Sequence, residues 1–130
     1  MNKLLTFLCG IIGLAMIAFG IYAVFEGAAI GILTALEPRG AAGLSEARAF
    51  YSGSFSAMGG LVLYALAKPR VRQPLLMAIG VIWAGYAISR VISFVMDGYF
   101  PLFSTSIGSE IVVTIILLAA SRAPVTASSD

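Results

Sequence analysis

The chain alternates long apolar runs with short polar breaks. The first run, Leu4 to Phe25, follows Lys3 and stops at Glu26-Gly27. The second opens near Ser45, carries Arg48 early and is uncharged from Ala49 to Ala67. "KPRVRQP" separates it from a third run, Pro74 to Met96, which contains Arg90. "DGYFP" divides that run from a fourth, which contains Glu110. Each run is close to the roughly 20 residues an α-helix needs to cross a hydrocarbon core about 30 Å thick. The pattern predicts an all-α fold with spanning helices over 4–25, 46–67, 74–96 and 104–121. They form one transmembrane domain over 1–122, with a polar tail over 123–130.

Local signals sharpen these bounds. Ser45 has the chemistry of an N-cap, and Glu46 then sits in the first turn, where its charge suits the helix dipole. Pro69 ends the second helix, and Pro74 fits the first turn of the third. Ser104 or Thr105 caps the fourth. The apolar core of the first run exceeds the 7–15 residues of a signal peptide, and no small-x-small site follows, so it is read as a retained helix. Gly27 to Leu44 is glycine-rich and only partly apolar; it is expected to be interfacial, re-entrant or a plain loop.

Short connections favour an antiparallel up-down bundle. Lys3, Lys68, Arg70, Arg72 and Arg122 then fall on one side, with Arg39 and Arg48 on the other. The positive-inside rule puts both termini in the cytoplasm. Tyr99, Phe100 and Phe103 would join an aromatic belt at the outer surface.

Composition agrees with a membrane domain. Of 130 residues, 60% are hydrophobic and 11% charged, and the mean hydropathy is +1.01. A soluble domain carries about 25% charged residues. The net charge of +2 makes no basic stripe for nucleic acid. There is no histidine, and Cys9 is the single cysteine. An intrachain disulfide, the usual zinc and haem sites, and histidine-dependent triads are thereby excluded, and no metal or cofactor is expected. Cys9 reads as a small buried hydrophobe.

The few charges converge on the outer layer. Glu26, Glu46, Arg48 and Asp97 sit at outer helix ends, while Arg90 and Glu110 lie deeper, about 9 Å from those ends. Arg48 can reach outer water, because its helix runs inward and side chains lean toward a helix N-terminus. Arg90 leans the other way. A central charge costs about 2.5–3.5 kcal/mol on insertion scales, so Arg90 should find a carboxylate. Glu110 matches its depth and is the first choice; Glu46 is the second. Ser89, Ser93, Ser106 and Thr114 make a polar stripe around this pair. Tyr86 and Trp83 lie below Arg90, and Tyr51 below Arg48. The acids outnumber these two arginines, so at least one is solvated, protonated or neutralised by a cationic group.

Ser52, Ser56 and Gly60, with Gly10, Gly13 and Gly20 on the first helix, are small residues spaced for close helix packing. Tyr22, Tyr51, Tyr64 and Tyr86 are candidate pocket walls.

"LSEARAFYSGSFSAMGGLVLYAL", "RQPLL", "SRVISFVMDGYFP" and the late Glu110 together resemble the DUF4345 family, small, mostly bacterial four-helix membrane proteins of unknown function. The pattern matches at Glu46, Arg48, Tyr51, Gly53, Arg90, Ser93, Asp97, Gly98 and Glu110. Ser52 and Ser89 stand where the family pattern has glycine. The layout is also similar to DoxX-like proteins, in architecture alone. The resemblance implies the fold and a bacterial inner-membrane location, with no activity attached.

The leading functional expectation is an accessory or binding protein without catalytic activity. Its outer-leaflet pocket of Arg90, Glu110, Arg48, Glu46, Asp97, Tyr51, Ser93 and Tyr86 would hold a small polar or lipid-like ligand or a partner protein. The alternative is a homodimeric transporter or proton-coupled carrier using Glu110, which needs a polar track past Tyr64 and Trp83. A membrane enzyme with Glu110 as base and Arg90 as stabiliser is the third. Membrane lipid is an expected partner in every case, with a homodimer or larger complex possible.

Overall fold

In a computed structural model the described residues form four helices long and apolar enough to cross a membrane. The residues it describes are 2–27, 29, 30, 34, 38–99 and 103–123, with only the backbone of 103. Helix α1 is Lys3–Phe25, α2 is Gly40–Ala67, α3 is Pro69–Asp97 and α4 is Phe103–Arg122. Among the described residues there is no strand. Most of Gly27 to Leu44's disputed stretch before Pro38, Phe100 and the Phe103 side chain of the expected aromatic belt, and the tail from 124 lie outside the described residues.

The helix ends have local causes. The Asn2 side chain accepts the Leu4 N–H at 2.7 Å and caps α1. Helix α2 starts at Gly40, well before the expected 46, so Ser45 lies inside the helix rather than at its cap. Its middle, Arg48–Ser54, is a π-helix, a wider turn bonded i to i+5. Serine and glycine there are weak α-formers, which lowers the cost of departing from α geometry. Lys68 alone joins α2 to α3. Pro69 occupies the first turn of α3, where its missing N–H costs nothing. Pro74, expected to open that helix, sits inside it and removes one backbone hydrogen bond. Gly98 ends α3 with φ 86°, a left-handed conformation that glycine adopts without a Cβ penalty.

Packing pairs α1 with α2 and α3 with α4; α2 also meets α3, and α1 meets α4. The α1–α2 contact is backbone-close. Gly20 lies against Ser56 and the Ser52 carbonyl, and Gly13 against the Gly59 carbonyl and Leu63. Gly60, expected on this stripe, faces open space, and Gly59 takes its place. The buried core is Cys9, Met16, Met58, Val62, Ala65, Leu76, Ile79, Leu117 and Ala120. It uses the N-terminal parts of α1 and α3 and the C-terminal parts of α2 and α4. Arg72 is buried here too, 9% exposed, unlike the exposed Lys3, Lys68, Arg70 and Arg122 with which its charge grouped it. It shares a helix face with Leu76, one turn on, so its apolar stem belongs to the core. The outside is apolar as well, with Phe7, Leu14, Val81, Val95 and Ile115 exposed. Such a surface suits hydrocarbon rather than water.

Candidate functional site

Trp83, Tyr86, Arg90 and Ser93 follow one another at intervals of three and four residues, so they share one face of α3. Opposite Arg90, α4 presents Glu110. Arg90 Nε donates to Glu110 Oε1 at 2.6 Å, a short charge-assisted contact. Glu110 is only 5% exposed, while the Arg90 side chain is 36% exposed. The contact is made through Nε, which leaves the two Nη atoms outside it. Glu110 Oε2 and Trp83 Nε1 are enclosed without a hydrogen-bond partner, as is the Thr114 hydroxyl. Buried polar groups are ordinarily satisfied, so the two beside the cavity mark unmet capacity.

The pair borders a partly open cavity of about 410 Å³, within the usual range for ligand sites of about 300–1,000 Å³. One wall is aromatic. Phe50, Tyr51, Phe19, Phe55, Trp83 and Tyr86 form a chain of ring contacts from α2 to α1, back to α2 and on to α3, with centroids 4.9–6.1 Å apart. Phe50 and Tyr51, adjacent in sequence, both reach the cavity from the π-helical turn. The other wall carries hydroxyls: Ser89 and Ser93 from α3, Ser106 and Ser109 from α4, and Thr34 from the chain between α1 and α2.

The structure thus gathers Arg90, Glu110, Tyr51, Ser93 and Tyr86 at one cavity. It places Arg48, Glu46 and Asp97 elsewhere. Glu46 and Asp97 are exposed and do not line it, and the alternative Arg90–Glu46 pairing is not formed. Arg48 Nε donates to the Val24 carbonyl at 3.1 Å, at the C-terminus of α1. A cation there meets the negative end of the helix dipole at a last-turn carbonyl. Arg48→Ala is expected to lower stability by about 0.5–1.5 kcal/mol. Cavity occupancy should be unchanged; thermal unfolding and ligand retention, measured together, check this. Tyr22 and Tyr64 point outward. Phe19, Phe50, Phe55, Thr34 and Ser109 line the cavity without having been expected there. The sequence offered little signal for them: Phe19 lies six residues before the end of α1 at Phe25, and Phe50 and Phe55 lie in the middle of α2.

A family-level comparison matches the domain of unknown function DUF4345 over residues 4–121. The chain belongs to the DUF4345 family. No curated protein and no solved structure matches it. For this DUF4345 chain, then, the cavity is the basis for any functional reading.

Proposed function

We propose that this DUF4345 protein is an integral membrane binding protein whose cavity holds the head of a membrane amphiphile. It is an up-down bundle in a bacterial inner membrane, with both termini cytoplasmic and the cavity in the outer leaflet. Reversed contact order supports the topology. Gly13 meets Leu63 while Gly20 meets Ser56, and Gly80 meets Leu117 while Arg90 meets Glu110. The exposed basic residues Lys3, Lys68, Arg70 and Arg122 support the orientation.

The observation that carries the reading is the Arg90–Glu110 pair at a cavity wall, set within the span. Helix α3 has 29 residues, about 43 Å, enough for a bilayer of about 40–45 Å including headgroups. Arg90 lies about 10 Å before the helix end at Asp97. That depth is just beneath the headgroup layer, where the polar backbone of a lipid lies. Arg90 receives a phosphate, carboxylate or carbonyl group, and Glu110 fixes the guanidinium. The buried side chains on the other half of the bundle are mainly apolar, which favours binding over a carrier with a continuous polar path.

Full-length protein purified in mild detergent should carry an amphiphile detectable by native mass spectrometry. The double variant Arg90→Leu/Glu110→Leu should lose it while remaining folded. Equal loading of both proteins, or an empty wild type, overturns the reading. Trp83, the only tryptophan, borders the cavity and gives a second signal through its emission on titration.

A further inference from the structure

Resting on that reading, we infer that the head recognised is a phosphoethanolamine ester: a phosphodiester for Arg90 and a primary ammonium for Glu110. Charge balance comes first. Arg90 and Glu110 neutralise one another across 2.6 Å. A net-charged head beside them would leave one charge uncompensated in a site of low dielectric, which is costly. A zwitterionic head adds none.

Donor geometry comes second. Arg90 meets Glu110 side-on through Nε, leaving the Nη pair to face a two-oxygen acceptor. A planar guanidinium fork matches phosphate in that manner. Glu110 retains acceptor capacity, because Oε2, nine-tenths or more buried with its residue, receives no hydrogen bond. An ionised carboxylate can take only donors there. A primary ammonium supplies three N–H groups; a trimethylammonium supplies none.

The wall comes third. The rings of Tyr51, Trp83 and Tyr86 flank the same space. Aromatic faces attract an ammonium within about 6 Å of the ring centre. Ser109 donates to the Ser106 carbonyl; the Ser89, Ser93 and Ser106 hydroxyls, as donors, suit the remaining phosphate oxygens. An anionic phosphoglycerol head would satisfy Arg90 but leave a net negative charge and bring nothing cationic to Glu110 or the rings.

The test titrates full-length protein in detergent with short-chain diacyl esters of phosphoethanolamine, phosphocholine and phosphoglycerol, reading Trp83 emission. Glycerophosphoethanolamine without acyl chains is a fourth arm. The phosphoethanolamine ester should bind about tenfold or more tighter than the other two diacyl esters. In Glu110→Gln the site gains a net positive charge, and the phosphoglycerol ester should become the preferred ligand. Binding of the tail-less compound at equal strength would support the head chemistry with a soluble source; weak binding would support it with a lipid source. Phosphoglycerol binding as tightly as phosphoethanolamine in the wild type overturns this inference but leaves the amphiphile reading standing. Equal binding of phosphocholine overturns it too, since the ammonium protons then do nothing. No response to any ester overturns both. Should Glu110→Gln fail to fold, the wild-type ranking decides alone.

Discussion

Arg90→Ala should be among the most damaging single substitutions in the chain. It leaves Glu110, 5% exposed, with no cation beside it. Removing one partner of a buried pair costs about 3–5 kcal/mol, because the remaining charge has neither water nor a counter-charge. The Arg90 side chain is itself 36% exposed, so the lower end of that range, about 3 kcal/mol, is expected, equivalent to a fall in Tm of about 10 °C. Glu110→Ala should cost less, since the stranded Arg90 is the more exposed partner. The double variant Arg90→Leu/Glu110→Leu should recover most of the loss, because replacing a whole buried pair with apolar side chains is often neutral or better. Thermal unfolding of the three variants in one detergent gives the cycle. If Arg90→Ala shifts stability by no more than an ordinary surface change, about 0.5 kcal/mol, the pair is not holding a buried charge. The same double variant separates structure from binding: it is the folded form without the polar anchor.

This pair was legible because a charge within a long apolar run carries a cost that a partner at the same depth offsets. Composition and run length likewise made the four helices legible, and Glu26 and Gly98 mark ends that the structure keeps. Helix faces were much harder to read. These helices are apolar nearly all round, so no polar stripe tells an outward-facing phenylalanine from one lining a cavity. Phe19 and Phe55 look like Phe7 and Phe25 in the sequence, yet the first two meet across a cavity wall and the last two are exposed. Arg48 escaped for another reason. Its partner, the Val24 carbonyl, is a backbone atom 24 positions away, and no side-chain pattern announces it. The π-turn at Arg48–Ser54 has no residue signature beyond the weak α-formers Ser52, Gly53 and Ser54.

Gly59 and Gly60 are neighbours in sequence, yet alanine should act on them in opposite directions. A Cβ at Gly59 would stand 2.5 Å from the Gly13 carbonyl oxygen, 2.8 Å from Ile17 Cγ1 and 3.0 Å from the Ile17 nitrogen. Two of those atoms are backbone, so no rotamer change relieves the contact and α1 must move from α2. Overpacking of this kind costs about 1–3 kcal/mol. Alanine's better helix propensity returns at most about 1 kcal/mol. At Gly60 a Cβ meets nothing within 4 Å, so only the propensity gain remains and stability should hold or rise slightly. The displacement should also travel. Phe55 lies one turn from Gly59, and its ring is 4.9 Å from Phe19 on α1 and 5.9 Å from Trp83 on α3. Forcing α1 and α2 apart therefore loosens the aromatic wall on which Trp83 reports. Gly59→Ala should lower Tm and shift Trp83 emission together, whereas Gly60→Ala should leave emission as it is. If both alanines behave alike in the two measurements, the backbone-close crossing at Gly13 and Gly59 is not what sets the width of the cavity.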